Sequence, residues 1–523
     1  MEGIREKKTV RKPANKKRNG LRKRLYNWSK KWHKYLGLFL AGFIIYTGFS
    51  GILLNHPSEI AGWSVHKSWV PERYHPYNWN RSALIKAVYN PKNESSLLVA
   101  GKQGVWRSDD GGFTFRPDMA GAFPESRYLR KTNDLLIHNQ TAFAGTFGGL
   151  FSKKLSETDW KEIPLGDKKE DVKAVLETPN GLIAISKNGA FRKKASGEFE
   201  QVILPRPDKN SMSLIDFTFA LHSGWLWGLP GRIVFDIVGL ATVFLSVSAI
   251  YIFIFRKKKK NKATKKRMAF FVKYHNSIGF WLCGFILITS ITGAFMRPPL
   301  LAALANGKAP SILLPSYFEE NPWYHTIRNA CYDTETDRII IDTSEGLWAG
   351  KSDLKSDFTP LDWSVNIFPM GCTVLRPEGD GHFLVGSFYG LYNYKEGDDY
   401  ATDALTGEKV KPYAGIQRPG RFITTGYFQT TGGTRYVSTH GQGLLPIDRP
   451  QNMNAFMMPK TMAGDYRMPL WNYMFELHNA RLLNDIFGKW TILVIPLAGI
   501  ILTLISLTGI FEYCYRKYRF FRK

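Results

Sequence analysis

Cysteine is scarce in this chain: four residues in 523, two of them in or beside apolar stretches (Cys283 and Cys514), which excludes a disulfide framework. Cys331 and Cys372 share one polar segment, where pairing in an oxidising compartment stays open. No C-x-x-C-H sequence occurs, so any haem would be held without covalent attachment. Flavin and nicotinamide fingerprints are also missing. Most of the chain lacks any charge imbalance. Residues 1–34, 256–273 and 513–523 account together for the whole net charge of +27. Each adjoins an apolar run, so the excess reads as membrane orientation and not as nucleic-acid binding. The apolar runs hold only Asp236 and Glu512 as acids, which weighs against a proton-coupled carrier.

Four stretches are apolar enough to cross a bilayer, near 35–54, 232–255, 274–296 and 489–512. The first follows a long basic arm and shows no small-x-small cleavage site, so it reads as an uncleaved anchor. The basic segments put both termini and the central linker in the cytoplasm. The expected order is a basic arm (1–34), a first span (35–54) and an outer segment (55–218). A second span with its lead-in (219–255), a basic loop (256–273) and a third span (274–296) follow. A second outer segment (297–472), a fourth span with its lead-in (473–512) and a basic tail (513–523) complete it. The location this implies is the inner membrane of a bacterium, with the outer segments in the periplasm.

One helix pattern occurs twice, 242 positions apart and without a gap. The first copy places His33, Gly37, Gly42, Thr47 and Gly51; the second places His275, Gly279, Gly284, Thr289 and Gly293. At 100° per residue these positions form a stripe of small residues running away from a histidine. Such a stripe lets a neighbouring backbone or a flat cofactor approach closely, and a plain helix-packing seam is the competing reading.

The outer segments repeat as well. Six stretches share a β-branched run, a turn glycine and an apolar or aromatic pair, with the glycines at Gly104, Gly149, Gly189, Gly346, Gly390 and Gly443. Each predicts strand, tight turn, strand, at the spacing of propeller blades. Ser108–Phe115 fits an Asp-box turn. The expected fold is a mixed membrane protein: a four-helix transmembrane bundle plus an all-β periplasmic domain, a six-bladed propeller split 3+3 between the outer segments. Two separate small β-domains are the alternative.

A second matched pattern ends each outer segment: Phe219-Ala220-Leu221-His222 before Gly231-Arg232, and Phe475-Glu476-Leu477-His478 before Gly488-Lys489. By this topology His33 and His275 lie near the inner face, and His222 and His478 near the outer one. Facing helices of a bundle commonly supply both axial ligands of a buried cofactor, and paired neutral imidazoles make a six-coordinate b-type haem site. Gly37 and Gly279 would clear room for the porphyrin. His56 is a rival outer ligand. Arg232, Lys489 and Arg297 could meet propionates or an anionic chelate, or serve as interfacial anchors.

Trp32-His33-Lys34-Tyr35-Leu36-Gly37-Leu38, with Thr47-Gly48 and Ser50-Gly51 downstream, resembles the first helix of the PepSY-associated transmembrane family. Leu221-His222-Ser223-Gly224 before Leu229-Pro230-Gly231-Arg232 is similar to the entry to its second helix, and Ser506-Leu507-Thr508-Gly509 to the end of a later one. The resemblance covers the spans and their flanks. It implies haem ligation by His33, His222, His275 and His478, as in siderophore or iron reductases. The blade-like repeats depart from the family, whose PepSY domain they replace.

The function expected is transfer of electrons through two b-type haems to a periplasmic protein or a ferric chelate such as a ferric siderophore. A quinol or a separate reductase would be the donor, since the inner segments are too short to fold one. The competing class is a membrane-anchored propeller that binds or assembles partners and uses its histidines structurally.

Overall fold

The computed structural model describes residues 14–206, 211–256, 261–304, 307–314, 321–413, 415, 417–448 and 454–521. Parts of the expected basic arm, loop and tail lie outside these. The chain forms two compact units: a helical one from Met1–Asn55, Thr218–Leu301 and Glu476–Lys523, and a β-rich one from His56–Phe217 and Ala302–Phe475.

The helical unit is built on α1 (Ala14–Leu54), α3 (Gly228–Phe255), the pair α4 (Lys262–Trp281) and α5 (Cys283–Phe295), and α7 (Thr491–Phe521). Two short helices, α2 (Leu214–Ser223) and α6 (Leu470–His478), lead into α3 and α7. Among the described residues three helical segments are long and apolar enough to cross a membrane: Gly20–Leu54, Trp225–Phe255 and Arg481–Lys517. The expected four straight spans therefore need correction, because the third is broken at Leu282 and its halves bend by 67°. Glycines at 279 and 284 flank the break and lower its cost. Gly37 and Gly42 hold the same places in the unbroken α1, so glycine permits the bend without dictating it. Along α1 both α3 and α7 pack closely. Helix α1 meets α3 at Gly48, where a Cβ would lie 3.0 Å from Thr242 and Val243, and at Gly239, 2.9 Å from Ile52. Backbones at that separation tolerate no side chain between them.

Among the described residues the β unit contains six sheets of three to five strands, with meanders that start at Lys86–Asn90, Thr132–His138, Val172–Thr178, Ile327–Asp333, Val374–Gly379 and Thr424–Gln429, and two further two-stranded sheets. All pairings are antiparallel except that of Ala120–Gly121 with Asp159–Ile163. Every sheet among the described residues is open; none closes on itself. The six turn glycines read from the sequence all join a second strand to a third, with φ between 83° and 158°. At Gly443 a Cβ would also collide with the carbonyl of Asn78. The Asp-box forms as expected: Ser108 Oγ accepts from Gly112 N–H at 2.8 Å, and Asp110 accepts from the N–H groups of Phe113 and Thr114 at 3.0 Å.

Second strands are buried on both faces, and their alternation assigns each face to a different neighbour. In the third sheet, Leu182 and Ala184 pack with Phe143 and Leu150 of the second, while Ile183 and Ile185 pack with Ile339 and Ile341 of the fourth. Ile340 faces the fifth sheet at Phe383 and Val385, and Leu384 faces the sixth at Tyr427 and Val437. Leu98 and Ala100 join the first sheet to the second, and Leu97 and Val99 join it to the sixth at Phe428 and Tyr436. Each such side chain contributes about 1.5–3 kcal/mol on burial. Cys331 and Cys372 are free thiols buried in the core between the fourth and fifth sheets.

Candidate cofactor site between the helices

The four histidines singled out by repeat position meet in two pairs. The imidazoles of His33 (α1) and His275 (α4) have ring centroids 6.2 Å apart at 88°. Those of His222 and His478, at the ends of α2 and α6, are also 6.2 Å apart, at 66°.

Every Nδ1 is occupied by a neighbouring helix. His33 Nδ1 donates to the carbonyl of Ile505 at 2.9 Å, with Thr508 Oγ1 at 3.4 Å. His275 Nδ1 lies 2.8 Å from Ser248 Oγ, whose own proton goes to the carbonyl of Leu245, so the ring donates. On the outer pair, His222 Nδ1 meets Thr289 O at 3.1 Å and Thr292 Oγ1 at 3.0 Å. His478 Nδ1 meets Thr47 O at 3.1 Å and Ser50 Oγ at 3.0 Å. These bonds fix the tautomer and leave each Nε2 with its lone pair, as in metal-ligating histidines. Among the described residues no hydrogen-bond partner meets any of the four Nε2 atoms.

Three rings rest on glycine. A Cβ at Gly51 would lie 3.3 Å from His478, at Gly293 2.9 Å from His222, and at Gly509 3.0 Å from His33. The outer ends of the glycine stripes thus seat imidazoles. Gly37 and Gly279 differ: with His33 and His275 they line a cavity of about 280 Å³. A Cβ at Gly37 would meet nothing within 4 Å. Arg256, Arg516 and Glu512 border the same cavity.

Two imidazoles sharing one metal at about 2.0–2.1 Å per nitrogen hold their centroids about 6 Å apart. Both pairs have that separation. No group of three or more metal-ligating side chains exists among the described residues, so a four-ligand zinc site does not fit. A metal whose other ligands arrive in a flat macrocycle fits both the two-histidine pairs and the open space at Gly37.

Other predicted residues lie elsewhere. His56 Nδ1 stands 3.8 Å from Glu59. Arg232 donates to the carbonyl of Asn55 and lies over Trp225, and Lys489 lies over Trp490. Sequence reasoning missed the hydroxyl cradle of Ser50, Ser248 and Thr292. Ser50 and Thr292 keep the same 242-residue offset as the stripes, which was the available signal.

The family model of the PepSY-associated TM region matches residues 30–516. The chain belongs to this family. Among solved structures it is similar to the extracellular domain of a hybrid two-component system of B. thetaiotaomicron (10% identity, TM-score 0.33), over 72% of this chain and 40% of that one. It is similar also to an ancestral GH74 enzyme (10%, 0.32; 69% and 35%). A third is PorZ of the type-IX secretion system of Porphyromonas gingivalis (11%, 0.30; 72% and 32%). The chain thus spans well under half the length of each. No curated protein sequence matches it.

Proposed function

We propose that this PepSY-associated membrane protein holds two b-type haems, one between His33 and His275 and one between His222 and His478, and passes electrons outward. The observation that carries this reading is the repeated pair geometry: 6.2 Å between centroids, with each Nδ1 spent on a neighbouring helix. Bound haem would supply reversible one-electron chemistry at a potential set by its two imidazoles and by burial. The residues of this chain do the rest. Ser248, Thr292 and the Thr47, Thr289 and Ile505 carbonyls fix the rings, Gly37 and Gly279 keep space beside them, and Arg256 and Arg516 bring positive charge to the inner cavity.

The basic segments support an inner-membrane protein with cytoplasmic termini and a periplasmic β unit. The donor would be a quinol or a separate reductase, and the acceptor a ferric chelate or a periplasmic protein. We read the β unit as a six-bladed propeller split three and three. In support, the first strands of the six sheets touch in cyclic succession, and an apolar cluster fills each of the six junctions.

An absorption spectrum of detergent-purified protein, oxidised and dithionite-reduced, tests the reading. Two low-spin b-type haems per chain are expected, with His33→Ala and His222→Ala each removing one. A colourless protein from haem-replete cells overturns it and leaves a membrane-anchored β module with structural histidines.

A further inference from the structure

We infer that the β unit carries a binding site for a small polycarboxylate anion, built by Lys131, Lys173, Lys187 and Arg328 on three successive sheets. Backbone bonds bring the segments that carry these side chains next to one another. Phe147 N–H donates to the Lys131 carbonyl at 2.9 Å, and the Phe147 ring centroid lies 5.0 Å from Lys131 Nζ and 4.9 Å from Lys173 Nζ. Lys187 N–H donates to the Asp171 carbonyl at 2.9 Å, and its own carbonyl accepts from Ile327 N–H at 3.3 Å. Lys187 is thereby pinned between the strand of Lys173 and that of Arg328.

Counter-charge is short at two of these four cations, since Arg328 donates to the Pro369 carbonyl and lies beside Asp342. Asp171 pairs with Lys173 at 2.7 Å. Lys131, only 5% exposed, has the neutral Asn472 as acceptor at 2.6 Å and the Tyr128 ring at 4.1 Å. Neither Lys131 nor Lys187 has a carboxylate within 4.0 Å among the described residues. A buried ammonium without a counter-ion is costly, and an arriving anion removes that cost. The surroundings agree. Burial, then Lys102 and Lys173 against the opposing pull of Asp171, hold Lys131 well below the usual lysine range; burial with Lys173 and Arg328 lowers Lys187 against Asp171 and Asp216. Burial, then Lys187 and Lys173, bring His325 down to about 3. Cations spread over successive sheets suit several carboxylates on one scaffold better than one compact anion.

As the chelating part of an electron acceptor, such a ligand would deepen the reductase reading; binding itself does not require haem. The test is titration calorimetry of the full-length protein with citrate, ferric citrate and inorganic phosphate. Citrate is expected to bind more tightly than phosphate. Lys187→Gln should weaken it about tenfold, the loss of one charge-assisted contact, while Lys187→Arg retains it. Lys131→Gln also removes its contacts with the Tyr128 and Phe147 rings and can unfold the sheet, so Lys187, whose Nζ has no hydrogen bond or ion pair among the described residues, is the deciding variant. No citrate binding, undiminished binding by Lys187→Gln, or phosphate binding as tightly as citrate overturns the inference. Citrate binding to a colourless protein would leave it standing while the haem reading falls.

Discussion

The two units differ in how many charged groups they bury. In the helical unit the buried polar set is mostly neutral, and Ser50, Ser248, Ser290 and Thr292 each return their proton to a backbone carbonyl one turn earlier. In the β unit hydroxyls are buried as well, but charged groups join them: Lys131, Lys153, Asp134, Asp333 and Asp342 are all below 10% exposure. A hydroxyl on a helix satisfies itself locally and still offers a lone pair to a neighbour, so it suits surroundings without water. An open sheet leaves backbone N–H groups at bulges and strand ends, and carboxylates collect there. Asp134 accepts from Val175 N–H at 2.8 Å, and Asp342 from Cys372 N–H at 2.6 Å. The lesson is that buried polarity in one unit positions rings, and in the other ties sheets together.

The largest expected effect breaks a charged tie. Lys153 pairs with Asp118 at 2% and 10% exposure, so Lys153→Met strands a buried carboxylate and should cost the β unit about 3–5 kcal/mol in denaturant unfolding. Adding Asp118→Leu should recover most of that; failure to recover would show that Lys153 matters for packing alone.

Asp342 comes next. Burial raises its carboxyl to about 6, against the pull of Arg328 and the Cys372 N–H. A raised acid binds its proton more tightly when folded. Its contribution is therefore greatest at low pH, declines as pH rises from about 4 to about 6, and amounts to about 3 kcal/mol in all. Asp342→Asn should remove that slope, and melting temperatures across the window would read it.

The neutral cradle makes a sharper and smaller prediction. Gly293→Ala puts a methyl at 2.9 Å from His222, and Gly51→Ala puts one at 3.3 Å from His478. Haem retention should fall clearly in the first and little in the second; equal losses would mean that the rings do not rest on these glycines. Thr292→Val should act least, because the Thr289 carbonyl still holds His222 Nδ1. A several-fold faster loss of haem to apomyoglobin is expected, of the size second-position partners contribute at metal sites.

Much of this was legible from residues alone. The family showed in the order of short motifs from Trp32 to Gly509, and each of the six turn glycines falls between two strands. Periodicity identified these because glycine at positive φ and β-branched runs are local requirements. The bend at Leu282 was not legible: α1 carries the matching glycines and runs unbroken, so the glycines alone do not decide it. The hydroxyl cradle escaped for a related reason. Ser50, Ser248 and Thr292 are ordinary helix residues until a ring from a distant helix arrives beside them.

The third and fourth sheets share an apolar cluster although α2 to α5 separate them in the chain, and the first and sixth share another. During synthesis, then, the first three sheets emerge with both flanks uncovered. Their sticky faces stay exposed until the ribosome has made the intervening helices and the last three sheets. The core of the β unit can therefore be completed only after α2 to α5 have been made, and a chain ending before Ile327 would leave apolar faces of its first and third sheets uncovered.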